Sequence, residues 1–73
     1  MNENEFLIDM QDVLQTEDTL AMDTILDDLE EWDSLSVMAT MAFLDKNFGL
    51  KTTMADYKAM KTIGDIARKA GVL

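Results

Sequence analysis

In each long stretch of this chain the apolar residues recur at helical intervals, and nowhere do they alternate as a strand would require. Phe6, Met10, Val13 and Leu14 follow one another at i, i+4, i+7 and i+8, and Leu7 widens the stripe. Asn2 or Asn4 can cap this helix, which is expected to end near Gln15. Val37, Met41, Leu44 and Phe48 form a second stripe within Ser34–Phe48, closed by Gly49. A short segment follows over Met54–Met60. Thr62, with Asp65 three residues on, then reads as the capping box of a last helix. Ile63, Ile66, Ala67 and Ala70 give that helix its apolar face, Arg68 and Lys69 suit its C-terminal end, and Gly71 closes it. There is no proline to interrupt any of these segments. The expected fold class is all-α: one domain over residues 1–73, a small bundle of three main helices plus one short helix.

The long loop between helices one and two, Thr16 to Asp33, exceeds the usual connection in a compact domain, so it should carry structure or function of its own. Leu20, Met22, Ile25, Leu26 and Leu29 offer apolar anchors, with a helical turn expected around Thr24–Leu29. Its acids, Asp23, Asp27, Asp28, Glu30 and Glu31, lack the alternating ligands and central glycine of an EF-hand. Diffuse cation binding is expected there, and no dedicated metal site.

Charge narrows the function further. Residues 1–33 hold twelve acids and no base, whereas residues 34–73 hold three acids and six bases. A chain of net charge −9 repels nucleic acid and anionic membranes and favours partners with basic patches. It lacks both Cys and His, so the usual nucleophile and base pairings of an enzyme are missing. The chain is therefore expected not to be an enzyme. No stretch is long enough to span a membrane, so no membrane insertion is expected, and the acidic start differs from a signal peptide. A monomeric cytoplasmic protein is expected.

Where the acidic loop meets the second helix the sequence reads Glu30-Glu31-Trp32-Asp33-Ser34-Leu35. Asp33 or Ser34 can cap the helix. If Asp33 does, Trp32 and Val37 occupy the two positions of a hydrophobic staple, and Ser34 becomes the first helical residue. Its hydroxyl then lies beside free amides and the positive end of the helix dipole, a place that favours a phosphate ester. Leu35, Ala39 and Ala42 fall away from the core stripe, with Lys46 on the same outer face and Ser36 and Thr40 flanking it. An outer face this apolar is read as a docking surface or as covered by further helices.

Trp32-Asp33-Ser34-Leu35, preceded by Leu26-Asp27-Asp28-Leu29, resembles the prosthetic-group attachment motif of acyl carrier and peptidyl carrier proteins. Thr62-Ile63-Gly64-Asp65-Ile66 resembles the start of that family's last helix, and the resemblance spans essentially the whole chain. It implies 4′-phosphopantetheine on Ser34, attached by a phosphopantetheinyl transferase, with Asp33 and Leu35 completing the motif. Partners would be that transferase and acyl-loading and acyl-processing enzymes, docking on Glu30, Glu31, Trp32, Leu35, Ala39 and Ala42. Seven methionines suit an interior able to part around an alkyl chain, although Met10, Met41 and Met60 read first as core. Fatty-acid-synthesis members usually line the outer face of the second helix with acids. Here Ser36, Ala39, Asp45, Lys46 and Asn47 stand instead, which favours a specialised acyl or aminoacyl carrier over a role in bulk fatty-acid synthesis. Two other readings stay open: a peptidyl or D-alanyl-type aminoacyl carrier, and an unmodified acidic interaction module in which Ser34 is only a cap.

Overall fold

Four capped helices make up the computed structural model, which describes residues 1–73: α1 (Glu3–Leu14), α2 (Ser34–Phe48), α3 (Met54–Lys58) and α4 (Ile63–Ala70). Each start has a chemical cause. The Glu5 amide donates to Asn2 Oδ1 at 2.8 Å while Glu5 Oε1 accepts from the Asn2 amide, a complete capping box. Asp56 accepts from the Thr53 amide at the head of α3. Asp65 accepts from the Lys61 and Thr62 amides at the head of α4. α1 stops at Gln15, which takes the left-handed conformation with φ 53° although it has a Cβ. α2 stops at Gly49, where φ 63° is free of that penalty.

α1 packs chiefly on α2. Phe6, Met10 and Leu14 of α1, Val37 and Leu44 of α2, Tyr57 of α3 and Ile63, Ile66 and Ala67 of α4 share one core. Rings of Phe6, Phe43 and Phe48 meet at centroid distances of 6.0–6.3 Å, in tilted and edge-on arrangements that aromatic quadrupoles favour. Val13, expected in the α1 stripe, is only half-buried, because it borders a cavity between α1 and α2.

The connection between α1 and α2 is anchored by Leu20, Leu26 and Leu29, all buried, with a 3₁₀ turn at Leu26–Asp28 where a helical turn was expected. Ile25 is not an anchor: it is exposed, because its backbone pairs with Thr62 and turns its side chain outward. Three backbone bonds stitch this loop to the start of α4. The Leu26 amide donates to Lys61 O at 2.9 Å, Ile63 to Thr24 O at 3.0 Å and Gly64 to Met22 O at 2.7 Å. Gly64 has no room for a side chain, since a Cβ there would lie 2.8 Å from the Met22 carbonyl oxygen. A loop of this length thus runs a determined course, and it delivers the chain to Asp33.

Candidate functional site

At the mouth of α2 the cap is Asp33, one of the two candidates that the sequence offers. Asp33 is extended, with φ −142° and ψ −173°, and its Oδ1 accepts from the Ser36 amide at 2.9 Å. Ser36 closes the box in return: its Oγ accepts from the Asp33 amide at 2.8 Å and donates to Asp33 O. Ser34 is therefore the first helical residue, exposed to solvent, and its hydroxyl takes part in none of the side-chain hydrogen bonds. The Ser34 and Leu35 amides have no partner within the protein either, as the first turn of a helix dictates. An accessible hydroxyl, two unused donors and the positive dipole end coincide at one point, and this set fits a phosphodiester on Ser34.

The outer face of α2 begins immediately beyond. Leu35 is 77% exposed, and Ala39 and Ala42 lie open beside it. Met38, 59% exposed, extends the same patch and was missed, although its i+3 spacing from Leu35 marks it. Ser36 and Thr40 do not flank this face; both are buried. The Ser36 hydroxyl is spent in the cap, and Thr40 Oγ1 donates to Ser36 O at 2.8 Å, so neither is buried unpaired.

The acidic residues before Ser34 separate into two groups. Asp27, Asp28 and Glu30 are exposed. Glu31 instead folds toward α1, beside Val13, Leu14 and Gln15, with Oε1 buried and accepting no hydrogen bond. Trp32 turns the other way and packs on Tyr57 of α3, ring centroids 6.2 Å apart. Trp32 and Tyr57, with Val37, Met54 and Met60, line a groove of about 340 Å³ between α2 and α3. Asp27, Lys58 and Lys61 border it. The Tyr57 phenol is pushed above its ordinary pKa by burial, and its oxygen lies 2.8 Å from Thr52 Oγ1. Trp32 thus belongs as much to the groove as to any docking face. Sequence reading gave no groove, because α3 is too short for its periodicity to show which side it presents.

No protein-family model matches the sequence, and no curated protein does. The fold does have a solved counterpart. The chain is similar to the solution NMR structure of holo acyl carrier protein from Geobacter metallireducens, at a TM-score of 0.74 and 23% identity, over 93% of this chain and 79% of that one. No helix is long and apolar enough to cross a membrane. Three main helices and a short one, joined through a long structured loop that ends at a capped serine, give this chain the acyl carrier protein fold.

Proposed function

We propose that this protein is an acyl carrier: it bears 4′-phosphopantetheine on Ser34 and presents acyl groups, held as thioesters on that arm, to partner enzymes. The observation that carries the reading is the unengaged Ser34 hydroxyl at the first position of α2, within Asp33-Ser34-Leu35 and on this fold. That the similar solution structure is of a holo acyl carrier protein supports it. A separate phosphopantetheinyl transferase would join Ser34 Oγ to the phosphorus of coenzyme A's pantetheine phosphate. The pyrophosphate bond breaks, adenosine 3′,5′-bisphosphate leaves and the hydroxyl proton passes to a base. The arm supplies the thiol that a chain without cysteine lacks. The chain's own residues hold the attachment point rather than catalyse: Asp33 fixes the helix start, and the unpartnered Ser34 and Leu35 amides would be the donors available to a phosphodiester on Ser34. Tethering then raises the local concentration of cargo at a docked enzyme. Exposed Leu35, Met38, Ala39 and Ala42 supply the contact surface, and Asp27, Asp28 and Glu30 the attraction for basic partners.

Incubation with a broad-specificity transferase and coenzyme A, followed by intact-mass measurement, tests the reading. The mass should rise by one phosphopantetheinyl group, and Ser34→Ala should abolish the gain while leaving helicity nearly unchanged, because Asp33 still caps. An unmodified wild-type chain, or a modified Ser34→Ala chain, overturns it.

A further inference from the structure

Asp33 and Ser34 stand next to each other, and either side chain is able to cap α2. Aspartate and serine are near-equal caps, so nothing in the pair itself decides between them. The choice governs what Ser34 can do. With Asp33 as the cap, Ser34 is the first helical residue and its hydroxyl is free, which is the arrangement found. With Ser34 as the cap, its Oγ would accept from the Val37 amide and the attachment oxygen would be tied to the backbone. The Val37 amide instead donates to Asp33 O at 2.9 Å. Ser36 separates the two registers. Its Oγ accepts from the Asp33 amide at 2.8 Å and donates to Asp33 O at 2.9 Å, and its own amide donates to Asp33 Oδ1. The boxes at α1, α3 and α4 are closed by Glu5, Asp56 and Asp65, whose carboxylates only accept. α2 alone is closed by a hydroxyl, which grips Asp33 at both its amide and its carbonyl. Ser36 is itself buried, with Thr40 Oγ1 donating to its carbonyl. A rival box on Ser34 is not available, because its closing position would fall on Val37, which has no polar side chain.

Resting on the carrier reading, we infer that Ser36 is a positioning residue for the modification of Ser34: its box selects Asp33 as the cap and so keeps the Ser34 hydroxyl available to the transferase. It acts through Asp33 and takes no part in the transfer. Without the Ser36 hydroxyl, two near-equal caps compete, and only the fraction capped at Asp33 offers a free Ser34 oxygen. The transferase then draws on that fraction. The apparent KM for this chain rises by the inverse of the fraction, while kcat at saturation stays the same.

The test compares wild type and Ser36→Ala, both well below their melting temperatures, in two measurements. One is the steady-state kinetics of modification by a broad-specificity phosphopantetheinyl transferase with coenzyme A. The other is the Cα chemical shift of Ser34 in the unmodified chain, which distinguishes a helical residue from an extended cap. In Ser36→Ala that shift should move from the helical toward the extended value. KM should rise about two- to threefold with kcat unchanged, by the factor that the shift gives for the competent fraction. Ser36→Thr, which keeps the hydroxyl, or Ser36→Asp, which builds the kind of box found at α3 and α4, should return the Ser34 shift to its helical value. A merely stabilising Ser36 would lower the melting temperature of Ser36→Ala and leave both the Ser34 shift and the KM of the folded chain where they are. That result overturns the inference, as does a raised KM with no change at Ser34, or a changed shift that neither rescue variant restores. Intact mass is read first: a wild-type chain that gains none sinks the carrier reading and this one with it, whereas normal modification with an unchanged KM in Ser36→Ala sinks only this one.

Discussion

Trp32 and Tyr57 meet with ring centroids 6.2 Å apart and planes tilted by 52°, joining the entry to α2 to the short helix α3. α3 is a five-residue helix, too short to persist without tertiary contacts. Trp32→Ala should therefore lower stability by about 1–3 kcal/mol, below the full cost of a buried tryptophan because the ring is half-exposed. Tyr57→Phe keeps the ring and removes only the hydroxyl partner of Thr52, at about 1 kcal/mol. Urea unfolding of both variants checks the order; a larger loss for Tyr57→Phe would mean that the hydroxyl pair, not the ring contact, holds α3.

Gly64→Ala should be disruptive out of proportion to its single methyl group. The added Cβ would press on the Met22 carbonyl oxygen, a backbone atom held by the Gly64 amide itself at 2.7 Å. Relief requires the loop to move, and the expected loss is about 1–3 kcal/mol. Amide exchange of Leu26, Ile63 and residue 64 should accelerate together; unchanged protection would show that the loop yields freely.

Acid should weaken the start of α4. Asp65 is held down at about 2, first by the Lys61 amide, then by Arg68 and by the Thr62 amide. A carboxyl whose pKa is lower folded than unfolded contributes stability that is complete above its ordinary value of 3.8 and lost as pH falls toward 2. Asp56 is shifted in the same direction, chiefly by the Thr53 amide. Protonating the remaining acids relieves self-repulsion and acts in the opposite sense, so the informative quantity is the difference between wild type and Asp65→Asn. That difference should be constant above pH 4 and shrink below it. A difference independent of pH between 2 and 5 would assign the role of Asp65 to packing rather than charge.

Partner docking should separate into a charge effect and a contact effect. Neutralising exposed Asp28 and Glu30 should slow association with the transferase at low salt, with the loss fading as salt rises. Leu35→Ala should instead speed dissociation at every salt concentration, by about 1–2 kcal/mol if the partner buries the side chain. Stopped-flow binding distinguishes the two. Unchanged low-salt kinetics in the Asp28/Glu30 variant would remove the acidic loop from recognition.

Elements with their own punctuation were legible in the sequence. Thr62 caps the helix it was expected to start, Asn2 and Asp33 are each one of the two candidates the sequence offers for α1 and α2, and Gly49 and Gly71 close α2 and α4. Exposed Leu35, Ala39 and Ala42 also followed from helical angles alone. What depended on tertiary contact was hidden. Ser36 and Thr40 looked like surface residues because the bonds that let them be buried run to backbone oxygens, which no side-chain pattern reveals. Ile25 looked like an anchor because its hydrophobicity was visible and its pairing with Thr62, far along the chain, was not. Trp32 and Lys61 are distant in sequence, so their meeting at one groove could only be found in three dimensions.

The three bonds from Met22, Thr24 and Leu26 to residues 61–64 also bear on the order of events when the chain is made. A ribosome that has released Ser34 has not yet released the strand of backbone that shapes the loop leading to it. Until Lys61 to Gly64 emerge, the Leu26 amide and the Met22 and Thr24 carbonyls lack their partners, and the approach to Asp33 loses its anchor on the start of α4. A modifying enzyme that recognises the shaped loop would thus find its substrate only once the last helix is present. The serine near the middle of the chain is in this sense governed by the end of it, and unfinished or C-terminally trimmed chains would pass unmodified.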